Sequence, residues 1–362
     1  MSEPGPQLAG FGTSDRVLPN TASRPPTRFV PFSHHVDDRP LSHHVDDGPR
    51  WPEDGGDVTP TGVRAIAATA YVYTYPLVAH YGEMYRQAVD AASSSYSGGF
   101  GTWRRMDQTE GAGGGAGATG GRGLRSTAWL DLRSEPWWYT QPAAPRGGSF
   151  RSRWIDLWGF VLDERESGAD GSEPVSLLAS SPSPVWNVPD EIEGVVRGES
   201  AFLALCTTVG WGNEDVCPIV TEGLPDVTLE PASVHLGRPA PPPAPANSWW
   251  PWKDGIEGTD DFWSCANFAL SLTTPHPDDE EVLARLASIG VAPGRPWDPS
   301  LLPNGANEAI EAGMDDALND LLEAALDPAA ARVGPCSREA MDRDYFARAL
   351  SALGRTHSAG RS

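Results

Sequence analysis

Two tryptophan-bearing segments, Leu124–Leu132 and Phe150–Val161, constrain this chain most, because each changes residue character from one position to the next, as a half-buried strand must. In the first, Leu124, Ser126, Ala128, Leu130 and Leu132 point one way and Arg125, Thr127, Trp129 and Asp131 the other. In the second, Trp154, Asp156 and Trp158 share a face opposite Ile155 and Leu157. Each segment therefore sets a carboxylate among large apolar side chains. An ionised Asp156 between two indoles must find a donor, either an arginine or a turn amide, or be pushed toward its protonated form. Asp156 is thus either a structural hydrogen-bond hub or a pocket residue.

Further strands are predicted at Glu135–Gln141, through Trp137, Trp138 and Tyr139, and at Val175–Ala179 and Val185–Val188. Their Ser, Pro and Asp flanks suit an antiparallel sheet with long loops. Ala201–Val209 reads as a short helix, and Thr228 to Pro231 leads out of the unit. Ahead of the strands, Thr59 and Pro60 supply an N-cap and a first-turn proline. Ile66, Ala70, Tyr73, Leu77 and Met84 then form one apolar helical stripe, which Pro76 kinks by removing an N–H and freeing the Val72 carbonyl. His80 follows on the same helix.

Past Arg238, Pro239–Pro245 is extended and semi-rigid, with Trp249, Trp250 and Trp252 placed to pin it to the body. Three helices follow. One starts at Thr259–Asp261, one at Asp278 and Glu281, which resemble a capping box, and one spans Asn304–Leu326. The expected architecture is α+β: an antiparallel β-sheet or sandwich domain with a kinked N-terminal helix and a C-terminal helical subdomain. Its expected organisation is a disordered leader at 1–57, the β-rich domain at 58–238, a Pro/Trp-rich linker at 239–258, the helical subdomain at 259–327 and a truncated C-terminal segment at 328–362.

Charge narrows the partners. The 362 residues carry a formal net charge of -22 at pH 7, so nucleic acid and anionic membrane surfaces meet mostly like charge. The first residues lack a basic start and an apolar run, and no later stretch reaches bilayer length, so a cytoplasmic location is expected. Arg104, Arg105, Arg122, Arg125, Arg133, Arg151 and Arg153 crowd the strands, either to pair with acids at their rims or to hold a small anion. Cys206, Cys217, Cys265 and Cys336 lack zinc-knuckle spacing and read as free thiols. Within the leader, Phe32–Pro40 and Leu41–Pro49 repeat Ser-His-His-Val-Asp-Asp, a weak metal-binding composition with nothing apolar around it to fix a geometry. No metal site is expected from the rest of the chain, and the sequence leaves any cofactor unknown.

Familiar catalytic motifs are absent: there is no His-Glu-x-x-His, no Gly-x-Ser-x-Gly and no dinucleotide fingerprint. The candidate ligand-binding residues are Tyr73, His80, Trp129, Asp131, Trp154 and Asp156. A small molecule or carbohydrate on this aromatic-lined face is the first functional reading. A hydrolase or isomerase pairing His80 with Asp156, or Asp131 with Asp156, is the second. A degenerate structural or interaction protein without ligand is the third, and self-association is compatible with it.

Four blocks in order, Ala-Tyr-Val-Tyr-Thr-Tyr-Pro-Leu-Val at 70–78, Arg-Ser-Thr-Ala-Trp-Leu-Asp-Leu at 125–132, Trp-Ile-Asp-Leu-Trp at 154–158 and Ser-Ile-Gly-Val-Ala-Pro-Gly at 288–294, resemble the bacterial family known as domain of unknown function 1254. The resemblance spans about residues 60–325 and implies an antiparallel β-structure with flanking helices, commonly followed by a jelly-roll-like domain of unknown function 1214. It carries no established activity. Where that family has Asn-x-Asp-Thr-Leu-Tyr-Ser, this chain has Gly120-Gly121-Arg122-Gly123-Leu124-Arg125-Ser126, without the Asn, Asp, Thr and Tyr. Its last part, around Asp344-Tyr345-Phe346-Ala347-Arg348-Ala349, resembles the beginning of the following domain, most of which the resemblance then implies this chain to lack.

Overall fold

The alternation of the tryptophan segments is realised in a five-stranded antiparallel sheet of order β1-β2-β8-β4-β5, built from β1 (Arg104–Gln108), β2 (Arg122–Asp131), β4 (Gly148–Asp156), β5 (Val161–Ser167) and β8 (Phe202–Trp211). A second sheet orders β7 (Gly194–Arg197), β6 (Val175–Ser180), β3 (Trp137–Gln141) and β9 (Thr228–Pro231), with β6 and β7 parallel and the other pairs antiparallel. The computed structural model describes residues 59–108, 122–143, 148–167, 174–182, 188–211, 227–327, 337–341 and 344–359. The leader with its histidine repeat, Cys217, Cys336 and most of the Val185–Val188 strand lie outside them.

Leu130, Leu203, Leu205 and Trp154 of the larger sheet close on Tyr139, Leu177, Ala179 and Val196 of the smaller one, forming the core of a sandwich. Ala201–Val209 is therefore not a helix but the middle of the central strand. Its Leu203 and Leu205 face the second sheet, while Phe202 on the opposite face meets Phe100 and Trp249. With both faces covered, β8 has no polar side, so it lacks the alternation that marks β2. The segment Phe150–Val161 also divides: β4 stops at Asp156, and Gly159, at φ +85°, turns the chain into β5. Trp158 consequently sits in the turn rather than on the strand face.

The kinked N-terminal helix α1 (Pro60–Met84) is capped by Thr59, whose hydroxyl accepts from the Gly62 N–H at 3.2 Å, and runs into a π-helical turn at Tyr85–Val89. From Ala70 to Met84 it is buried almost all round, not along a single stripe. It packs against α2 (Asp261–Leu270), α3 (Glu280–Ala287), α4 (Ala306–Ala325) and α5 (Tyr345–Ala359), which form the C-terminal helical subdomain. The α1–α4 crossing depends on Gly313: a Cβ there would lie 2.3 Å from the Arg64 carbonyl oxygen and 2.9 Å from the Ala67 Cβ. Gly313→Ala should therefore lower stability by about 1–3 kcal/mol through overpacking against backbone that cannot yield. Urea unfolding of the two proteins, with the midpoint shifted and the slope unchanged, measures it.

The block at 288–294 has a structural explanation. Buried Asn267 of α2 donates to the Gly290 and Arg295 carbonyls and accepts from the Ala292 N–H, so one amide holds the loop. The Pro/Trp-rich strap is likewise tied down: Tyr81 donates to the Trp250 carbonyl, Ala244 N–H donates to Ser134 Oγ, and the Trp252 ring lies so close to Gly82 that a side chain there would overlap it. Among the described residues, Cys206 and Cys265 are free thiols, and no helix is long and apolar enough to cross a membrane.

Candidate ligand site

Strand register decides how the sequence-named residues are distributed. Across the larger sheet Leu203 of β8 stands opposite both Leu130 of β2 and Asp156 of β4, whereas Asp131 stands opposite Phe202. Directly opposed residues share a face, so Asp156 points with Leu203 toward the sandwich and Asp131 points with Phe202 toward the helical layer. The two carboxylates lie on opposite faces of one sheet and do not form a pair. Trp129 and Trp154 are separated in the same way. Both are buried, and Trp154 meets Tyr139 edge-on at 5.4 Å inside the sandwich, so neither ring offers an open platform.

Asp131 is occupied by Arg133, which reaches its carboxylate through Nε at 2.9 Å and Nη2 at 2.6 Å. The same guanidinium donates to the Pro245 carbonyl and to Asn247 Oδ1 and lies over the Phe202 ring. Asp131 thus fixes an arginine that fastens the strap. His80 is buried, and its Nδ1 lies 2.7 Å from the Pro76 carbonyl one turn earlier in α1.

Tyr73 and Asp156, by contrast, belong to a polar junction where α1, the β4–β5 turn, the segment after β7 and the C-terminal helix meet. Its centre is Asp279, only 1% exposed. One carboxylate oxygen accepts from the Tyr73 hydroxyl at 3.0 Å and from Arg338 Nη2 at 2.9 Å; the other accepts from the Tyr345 hydroxyl at 2.9 Å. Arg338 also donates to both oxygens of Glu199. Asp156 lies beneath Glu199, accepting from the Phe160 N–H at 3.0 Å and, at 3.4 Å, from the Glu199 N–H. The expected turn amide is therefore its principal donor.

The capping box read at Asp278 and Glu281 does not form. Glu281 bonds Arg285, Asp278 lies 3.5 Å from His276, and the neighbouring Asp279 turns inward instead. Arg348 completes the junction. Its guanidinium lies about 5 Å from the ring centres of Tyr73, Trp158, Phe160 and Tyr345, in cation–π contact with all four. Sequence reasoning missed Asp279, Glu199, Arg338 and Arg348. A signal existed for the last: Tyr345, Arg348, Ala349, Ala352 and Leu353 follow the spacing of an apolar helical stripe, with an arginine inside it.

The electrostatics follow from this geometry. Burial would push the Asp279 carboxyl up, but Arg338 and the two phenols outweigh it and hold the group below the ordinary carboxylate value. Burial, then the charge of Glu199, pushes Asp156 up to about 7 against the opposing amide donors and Arg348. Burial and the adjacent Asp279 charge push the Tyr73 phenol up, so it stays protonated and available as a donor. Burial presses Arg348 below its usual value, although the nearby Tyr73 and Asp279 partly oppose it. The arrangement can orient and neutralise a polar group in dry surroundings. Among the described residues, no cluster of three or more His, Cys, Asp and Glu could hold a metal ion.

Fold and junction together define an α+β protein in which a two-sheet sandwich is clamped to a helical layer through the buried Arg348, the half-buried Arg338 and aromatic rings. This fold is similar to that of the crystal structure of the VPA0106 protein from Vibrio parahaemolyticus, with a TM-score of 0.63 and 19% identity over 83% of this chain and 67% of that one. No family model and no curated protein matches the sequence.

Proposed function

We propose that this protein binds a small molecule, and that its recognition element is the aromatic–arginine junction rather than the tryptophan faces of the larger sheet. The observation that carries this reading is the buried Arg348 guanidinium enclosed by four aromatic rings, with two of the sequence-named residues, Tyr73 and Asp156, in the same junction. Aromatic walls with a few convergent polar groups are the usual make-up of a small-molecule site. An acid–base role is less well supported, since Asp131 faces away from Asp156 and His80 Nδ1 is engaged within its own helix. Carbohydrate recognition by Trp129 and Trp154 is disfavoured by their burial. We further propose, from the four sequence blocks, that the chain is a variant of the domain of unknown function 1254 family.

Native mass spectrometry of the full chain tests the binding reading. The expected spectrum contains a protein population heavier by one small molecule, which is released on denaturation and lost when Trp158 is replaced by alanine. A spectrum showing only the bare chain mass, together with no thermal stabilisation by any member of a broad metabolite panel, would refute it.

A further inference from the structure

Arg348 is 4% exposed, yet the single hydrogen bond its guanidinium makes among the described residues goes to a neutral group, the Tyr73 carbonyl, at 3.0 Å. Among the described residues no carboxylate bonds it. Asp279 and Glu199 are already bonded to Arg338, and Asp156, which also feels the Arg348 charge, accepts from the Phe160 and Glu199 amides. A buried guanidinium with no bonded counter-charge is costly, and ring faces compensate only part of that cost.

Two further buried donors stand unpaired in the same neighbourhood. Among the described residues Arg348 Nε has no hydrogen-bond partner; neither has the indole Nε1 of Trp158, whose ring lies 4.9 Å from the guanidinium carbon; neither has the hydroxyl of Ser351, one turn along the same face of α5. Unpaired groups also occur between the sheets, at the Tyr139 hydroxyl, the Trp154 indole and the Thr207 hydroxyl, but that set is neutral and calls for no charge. The Arg348 set consists of one cation and two donors, and an acceptor-rich anion satisfies all three.

Resting on the binding reading above, we propose that the molecule bound at this junction is a small organic carboxylate, with its anionic end on Arg348 Nε, Trp158 Nε1 and Ser351 Oγ and its apolar part against the aromatic rings. A planar carboxylate suits the guanidinium fork, and the rings of Tyr73, Trp158 and Tyr345 suit an apolar or aromatic body.

The test measures thermal stabilisation of the full chain by benzoate and acetate, with benzyl alcohol as the neutral counterpart, in a constant chloride background. Benzoate is expected to raise Tm in a saturable manner, acetate more weakly, and benzyl alcohol not at all. Ser351→Ala, which removes one donor without changing the packing volume appreciably, should weaken benzoate by about tenfold, the size of one hydrogen bond to a charged group. Arg348→Met should abolish the response, with near-UV circular dichroism reporting whether the variant keeps its fold. Equal stabilisation by benzyl alcohol would overturn the carboxylate assignment while leaving small-molecule binding intact. An unchanged benzoate affinity in Ser351→Ala, or no response to either carboxylate from a chain that carries a bound molecule by native mass spectrometry, would overturn it as well.

Discussion

Asp279→Ala is expected to lower the unfolding free energy by about 3–5 kcal/mol, the usual cost of removing one partner from a buried ionic network. The substitution removes the acceptor of the Tyr73 and Tyr345 hydroxyls and takes from Arg338 one of its two carboxylate partners, leaving it Glu199. These groups come from α1, α5 and the one-turn helix Arg338–Met341, so one carboxylate joins segments more than 250 residues apart in the chain. A non-additivity check accompanies the prediction. Tyr73→Phe should cost about 1–2 kcal/mol in the parent and close to nothing in the Asp279→Ala background, because the hydroxyl then has no acceptor to lose. Urea titrations of the four proteins yield both numbers. Additive effects would show that the tyrosine and the aspartate stabilise the fold independently.

Asp156 provides the second large effect, in the dependence of stability on pH. Its carboxyl titrates near 7 in the folded chain and near its ordinary value of 3.8 when unfolded, so folded protein holds the proton more tightly. This group's favourable contribution is complete below about pH 4 and is lost as the pH rises through 7. Over that window of about three units, at about 1.4 kcal/mol per unit, the change is about 4 kcal/mol. Asp156→Asn removes the titration while keeping an acceptor for the Phe160 N–H. Relative to the parent, the variant should therefore gain stability from pH 4 to pH 8, and the midpoint of the difference between the two curves reports the carboxyl. Parallel stability curves would mean that Asp156 does not titrate in this range.

How much of this was legible beforehand depended on whether a local pattern survives tertiary covering. The Thr59 cap was readable from its residue type, and the presence of α1, β2 and most of β4 from their periodicity, although α1 is buried almost all round rather than along one stripe. β8 was not, since Phe100 and Trp249 cover Phe202 on one face and the second sheet covers Leu203 and Leu205 on the other, leaving a short apolar run that fits a helix equally well. Tyr73 and Asp156 were legible as polar groups in apolar company, but their partners were not. Asp279 looked like one more acid at a helix start, and Arg348 stood in a segment read as resembling the beginning of a different domain. Strand register, which placed Asp131 and Asp156 on opposite faces, depends on pairing between distant strands and has no local signature.

The most direct test of the central claim is a crystal structure of the full chain grown in the presence of benzoate. Density is expected for one carboxylate within hydrogen-bond distance of Arg348 Nε, Trp158 Nε1 and Ser351 Oγ, with its ring against Tyr73 and Trp158. Those three donors bonded instead to the protein's own acceptors in a closed junction, with no density beside Arg348, would contradict it.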